Sequence, residues 1–236
     1  MDRLTLLSRR PKENNREYVY RLLRYNIMTL VLVPGCSINE AEVAEQLGVS
    51  RTPVHEALTM LKNEYLVEIL PQSGSFVTKI SLRNIREGLF MRATIEPAIY
   101  RQLAGNIGEE YLDQMAANLE EASHIMLNDQ DDSLDRYLKL DDNFHKIAYL
   151  AAQKPILWSA VKTVCSHFQR IRYQESILIK IDMSHIHHEH EQLYEYLMLG
   201  GSCYFDLEKH YDMHLSYFKT YFAQLLEMHP EYYIKN

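Results

Sequence analysis

Apolar residues recur at three- and four-residue spacing from Arg16 onward, at Tyr18, Leu22, Leu23, Ile27 and Leu30. That period predicts an amphipathic helix, closed by the breaker pair Pro34-Gly35. A second, short helix is predicted from Asn39, a good N-cap, carrying Val43, Ala44 and Leu47 inward until Gly48 ends it. Ser50 can cap a third, with Pro53 tolerated in its first turn and Val54, Leu58 and Leu61 forming the buried stripe. Two β-rich runs, Tyr65–Leu70 and Ser75–Ile80, then flank Pro71-Gln-Ser-Gly74 and predict a hairpin. After Ser81 the period stays near 3.6, which predicts helices over 82–104, 108–127, 131–152, 155–178, 184–199 and 203–227.

Three helices followed by a hairpin within about 65 residues match the layout of a winged helix-turn-helix. The remainder is a helical bundle without a strand signal. The fold class expected is therefore mainly α, with an N-terminal winged helix-turn-helix and an all-helical second part. Boundaries are set at 1–13 for a polar, aperiodic tail, 14–80 for the winged domain, 81–228 for the bundle and 229–236 for a C-terminal tail.

Composition adds little to the fold but limits the function. Hydrophobic residues are 47% and charged residues 24% of the 236, values of an ordinary globular chain. No apolar run approaches the ~20 residues that span a bilayer. The opening MDRLTLLSRRPKENN lacks the apolar core of a secretory leader. Cys36, Cys165 and Cys203 form neither a disulfide framework nor a CxxC site. A cytoplasmic protein with no membrane partner is the expectation.

A net charge of −7 argues at first against a nucleic-acid partner. The charge is uneven, however: residues 1–80 carry +1 and residues 81–236 carry −8. The N-terminal 80 residues are thus free of the acidic excess, and their basic residues cluster at Arg9, Arg10, Lys12, Arg16, Arg21 and Arg24.

Ser50, Arg51 and Thr52 open the third helix, where backbone N–H groups and the helix dipole favour phosphate. Arg51 has the donor fork that reads guanine O6 and N7, a contact worth roughly 1–3 kcal/mol of discrimination. His55 lies one turn on, and the small hairpin tip at Gly74 suits a minor groove or backbone. A three-helix domain with merely solvating surface residues is the competing account. The order of turn, basic helix start and hairpin favours double-stranded DNA as partner.

Histidines are the other unusual feature. Asp141 and His145 stand four apart, His185, His187, His188 and His190 cluster at a helix start, and His210 and His214 are again four apart. Three helices offering such side chains inward suit a divalent ion, zinc first, with nickel, manganese or iron as alternatives. A solvated His-rich helix start accounts for the same pattern. An Asp/His site in a bundle also raises a metalloenzyme as an alternative function, although paired Glu-x-x-His motifs are absent from the sequence.

Pro34-Gly35, Leu47-Gly48-Val-Ser-Arg-Thr-Pro-Val54 and Glu56-Ala-Leu58 resemble the signature of GntR-family transcription regulators. The helical remainder resembles the FCD ligand-binding domain of the FadR subfamily. This resemblance implies a homodimeric, non-enzymatic regulator acting on a palindromic operator and responding to a small carboxylate. It assigns metal ligands by motif to Asp141, His145, His190 and His214. The longer gap around Leu199-Gly-Gly-Ser202 keeps His210 in contention with His214, and Asp142 stands as an alternative to Asp141. Arg92 matches an inward arginine that pairs with the effector carboxylate, with an ion pair to Glu96 one turn on as the competing role. Two departures stand out: family members usually carry Arg at the position of His55, and often at that of Ala41.

Overall fold

The computed structural model describes residues 4–127, 133–179, 183–201, 205–216 and 219–234. The helix starts expected at 131 and 203, and Cys203, lie outside these residues. The chain divides into two compact units, one of 1–87, 163–174 and 223–236, the other of 88–162 and 175–222.

The first unit opens with α1 (Asn15–Met28), whose start is fixed by a reciprocal capping box between Asn14 and Glu17. It ends at Thr29, earlier than Pro34-Gly35, because Leu30 turns into the left-handed region and Leu32 N–H donates back to Asn26. Residues 4–13, expected as a polar tail, run along α1. Leu4 is buried in the core, and the buried Asn26 amide accepts from Thr5 N–H at 2.8 Å while donating to Thr5 O at 3.0 Å. One polar side chain thereby satisfies a backbone pair that would otherwise need a strand partner.

β1 (Ser37–Ile38) precedes α2 (Glu40–Leu47), which is capped by the Asn39 side chain and closed by Gly48 at φ +62°. α3 (Arg51–Asn63) buries Val54, Ala57, Leu58 and Leu61 against Leu22, Leu23 and Ile27 of α1. The hairpin pairs β2 (Val67–Leu70) with β3 (Gly74–Val77) in the antiparallel register Val67↔Val77 to Leu70↔Gly74. β1 adds to the other edge of β3, a third strand that two residues are too short to announce by alternation. Three helices followed by a hairpin is the expected layout, to which β1 adds a third strand.

β4 (Ile80–Ser81) runs into α4 (Leu82–Leu103), followed by α5 (Glu109–Leu127) and α6 (Ser133–Ala151). The single helix expected over 155–178 is two. α7 (Pro155–Val164) ends after Thr163-Val164, β-branched residues of weak helix propensity, and α8 (Ser166–Gln174) restarts beyond Cys165 and passes into a π turn at Glu175–Ile179. α9 (Ser184–Met198) agrees with expectation. The last expected helix is also divided, into α10 (Leu207–His214) and α11 (Lys219–Met228). Asp206 caps α10, its carboxylate accepting from Lys209 N–H at 3.0 Å, so regular structure there starts at 207.

α8 belongs to the same compact unit as the wing. His167 Nδ1 accepts from Ser81 N–H and its Nε2–H donates to Tyr65 O, both at 3.0 Å. Arg170, fully buried, donates through Nη1 to Thr78 O at 2.8 Å and Thr78 Oγ1 at 3.1 Å. Burial pushes the Arg170 guanidinium down to about 10, still cationic at neutral pH. A short 3₁₀ turn at Pro230–Tyr232 leads into β5 (Tyr233–Ile234), which pairs in parallel with β4, and the buried Tyr233 hydroxyl donates to Gln174 at 2.5 Å. Within the tail expected at 229–236, Tyr233 and Ile234 are therefore paired as a strand.

Candidate functional site

In the first unit, the start of α3 and the wing tip carry the sequence-assigned residues. Arg51, Thr52 and His55 are exposed on α3, opposite the stripe that packs on α1. Ser50 occupies the N-cap position, yet its hydroxyl makes no bond to the first turn. Among the described residues Arg51 has no carboxylate partner, so its five donors remain available. His55 Nδ1 lies 3.1 Å from Glu40 Oε1 at the start of α2, a pairing that the sequence reading did not weigh. Gly74 is exposed at φ +110°, at the end of a turn in which Pro71 and Gln72 (φ +63°) reverse the chain and Ser73 N–H donates to Leu70 O.

In the second unit, α6, α9 and α10 bring His145, His190 and His214 together. All three are buried, and one ligating atom from each lies within 4.8 Å of the others. The Nε2 atoms of His145 and His190 face each other at 3.2 Å. Asp141, also buried, sits one turn before His145 with Oδ1 3.7 Å from His190 Nε2. Two imidazole nitrogens sharing a tetrahedral ion at ~2.0–2.1 Å stand roughly 3.3 Å apart, so this donor set fits a divalent metal in chemistry and spacing.

Carboxylates stand behind two of these rings. Glu189 Oε2 lies 2.7 Å from His214 Nδ1, and Glu96 Oε2 lies 3.3 Å from His145 Nδ1. At His214 the carboxylate takes Nδ1–H, which fixes the tautomer and leaves Nε2 as the candidate ligand, whereas Glu96 approaches His145 Nδ1 without a hydrogen bond. The His190 ring is instead held by stacking on Phe144, 4.6 Å between centroids. Burial raises the Glu189 carboxyl, against the pull of His185, His210 and His190.

Arg92 places Nε 2.7 Å and Nη2 3.1 Å from the two oxygens of Glu96, forming a buried ion pair one turn apart on α4. Tyr149 donates to the same carboxylate at 3.4 Å. Of the alternatives, Asp142 pairs with Lys162. His210 stacks on His214 with its Nε2 unbonded, and burial followed by His214 pushes it down to about 4. The cluster thus contains His214, while His210 lies beside it. Glu96 and Glu189 had no assigned role of their own in the sequence, although each is spaced to meet a cation: Glu96 four residues after Arg92, Glu189 four after His185.

Residues 15–77 match the model of the bacterial regulatory proteins of the gntR family, and residues 87–199 match the FCD domain. The chain belongs to the GntR family and is a transcriptional regulator with the family's DNA-binding helix-turn-helix. The HTH-type transcriptional repressor RspR of Escherichia coli (strain K12) is 35% identical over 163 residues, covering 69% of this chain and 70% of the relative. An HTH-type transcriptional regulator named YdfH, from Escherichia coli O6:H1, is 36% identical over 72% of each chain. The solved structure of E. coli McbR/YncC is similar in fold, with a TM-score of 0.71 over 92% of this chain and 99% of that one, at 19% identity. The metalloenzyme alternative is set aside, since family and relatives are regulators, not enzymes. No helix among the described residues is long and apolar enough to cross a membrane.

Proposed function

We propose that the protein is a metal-dependent, ligand-responsive regulator that binds a palindromic operator as a homodimer in the cytoplasm. The observation that carries this reading is the buried convergence of His145, His190 and His214, with Asp141 beside them. Asp141, His145, His190 and His214 hold a divalent ion, zinc first, and the ion supplies positive charge for a small organic acid. Arg92 then offers its guanidinium to the same carboxylate, at the expense of its bond to Glu96. Acid binding shifts the balance between states of the dimer that grip DNA differently. Operator affinity measured with zinc, with a chelator, and with a panel of small carboxylates tests the sensing half. Identical affinity under every condition rejects it.

On the DNA side, Ser50, Arg51, Thr52 and His55 meet the major groove and its phosphates, and Gly74 brings the wing close to the backbone. Arg51→Ala is expected to weaken operator binding by about ten- to a hundredfold and to lower discrimination at one base pair, from the roughly 1–3 kcal/mol of a bidentate guanine contact. Fluorescence anisotropy on matched and single-substituted operators reads both effects. An unchanged profile removes Arg51 from the interface.

Glu189 has its own test. Glu189→Gln is expected to lower zinc affinity by about tenfold, the lower end of what a ligand-orienting carboxylate contributes. Competition with a chromophoric chelator measures this, and unaltered affinity makes Glu189 a packing residue only.

A further inference from the structure

His55 stands one turn beyond Arg51 on the same face of α3, exposed to solvent, with only Nδ1 committed among the described residues. Its partner, Glu40, is the first residue of α2 and is about two-thirds covered, with 31% of its side chain exposed. A carboxylate can only accept, so the Nδ1 proton of His55 is the one donated. In the neutral ring no second proton remains. Nε2, on the opposite edge, is then a lone pair that accepts.

We infer that Glu40 and His55 work as one specificity-determining unit: Glu40 sets the tautomer, and His55 Nε2 accepts from an exocyclic amino group in the major groove, cytosine N4 or adenine N6. Guanine and thymine present acceptors on that edge, so neither can satisfy a bare lone pair. The inference rests on the proposed docking of α3 and deepens it. Arg51 brings donors only and takes guanine; His55 brings an acceptor and takes the opposite class of base. Four residues along a helix span about 6 Å, so the two readings fall roughly two base-pair steps apart at ~3.4 Å per step. Two hydrogen-bond signs on one helix face thus describe a short sequence preference. The competing role, a brace between α2 and α3, predicts no base preference at all.

Selection from a library randomised across one half-site, using the full-length protein, separates these roles. In the His55 column the wild type is expected to favour C or A over G by about five- to tenfold, the range of one well-formed hydrogen bond against an unmet one. His55→Arg reverses the column to G. Glu40→Gln flattens it, because an amide can donate to Nδ1 and so move the ring proton to Nε2. Thermal melting of each variant close to wild type shows that folding is intact, as expected for two side chains on the surface. A wild-type preference for G means that Nε2 donates, and overturns the inference. So does a Glu40→Gln profile identical to wild type at every column while Arg51→Ala changes its own. If Arg51→Ala also selects like wild type, the proposed docking of α3 fails instead.

Discussion

Replacing His145 by alanine is expected to lower zinc affinity at least a hundredfold and to uncouple operator binding from added chelator. Three features set the size. His145 Nε2 belongs to the buried group, 3.2 Å from His190 Nε2. Its Nδ1 lies 3.3 Å from Glu96 Oε2, so a carboxylate stands beside the ring without a hydrogen bond to it. Removing one of four protein donors from a divalent site leaves an open position that water fills poorly in a buried pocket. The same substitution frees Glu96 from one of its neighbours and opens a small void beside Phe144, whose ring meets His145 edge-on at 5.9 Å. A fall in apo-protein stability of about 1–3 kcal/mol is the parallel expectation. Metal content after dialysis, chelator competition and urea unfolding of the metal-free protein distinguish the two effects. Full zinc retention by His145→Ala dismantles the assignment of the site.

The second large effect is on pH dependence in the DNA-binding unit. Burial, reinforced by the nearby Arg170 guanidinium and opposed by the bond to Tyr65, holds His167 down to about 4. Its ordinary value is near 6.5. The folded unit therefore resists a proton that the unfolded chain accepts. Stability is complete above about pH 6.5 and falls as pH drops toward 4, where the loss levels off. Two and a half pH units correspond to about 3 kcal/mol. Protonation would also replace the Nδ1 acceptor by a donor facing Ser81 N–H, so the change is felt at the junction of β4 and α4. Amide exchange at Ser81 and along the hairpin, followed from pH 7 to pH 4, is expected to accelerate in the wild type. His167→Gln, which carries an acceptor and a donor but does not titrate, is expected to lack that component. Equal pH slopes for both proteins refute the role given to His167.

Much of this architecture was legible because periodicity and capping agree. Asn39 and Gly48 bracket α2 as their chemistry dictates, and Gly48-Val-Ser-Arg-Thr-Pro-Val54 marks the turn into α3. The histidine cluster was legible in part: spacing puts Asp141 and His145 on one face, while His190 and His214 were implied only by the resemblance to the FCD domain, which left His210 in contention. What escaped is non-local. Leu4 looks like a stray apolar residue in a polar tail until Asn26 supplies both bonds to Thr5 from 21 residues away. Nothing in the spacing of α8 says that His167 will meet Tyr65 and Ser81, since partners 102 and 86 residues distant leave no period. The pairing of Glu40 with His55 escaped likewise, because the two stand 15 residues apart on different helices and Glu40 reads as an ordinary surface residue. The divided helices show a different limit: apolar period continues across Cys165, while β-branching at Thr163-Val164 accompanies the end of α7 and capping by Asp206 sets where α10 begins.

The Glu96 carboxylate answers at once to Arg92, Tyr149 and His145. Negative charge shared three ways cannot be withdrawn from one claimant without enriching the others. In the proposed sensing state, an anion that draws Arg92 aside would leave more of the Glu96 charge to His145, one of the residues that would hold the ion. Under the proposed function, occupancy by acid and occupancy by metal would then be linked quantities, each raising the affinity for the other by the same factor, and metal supply would become part of the dose response to the acid.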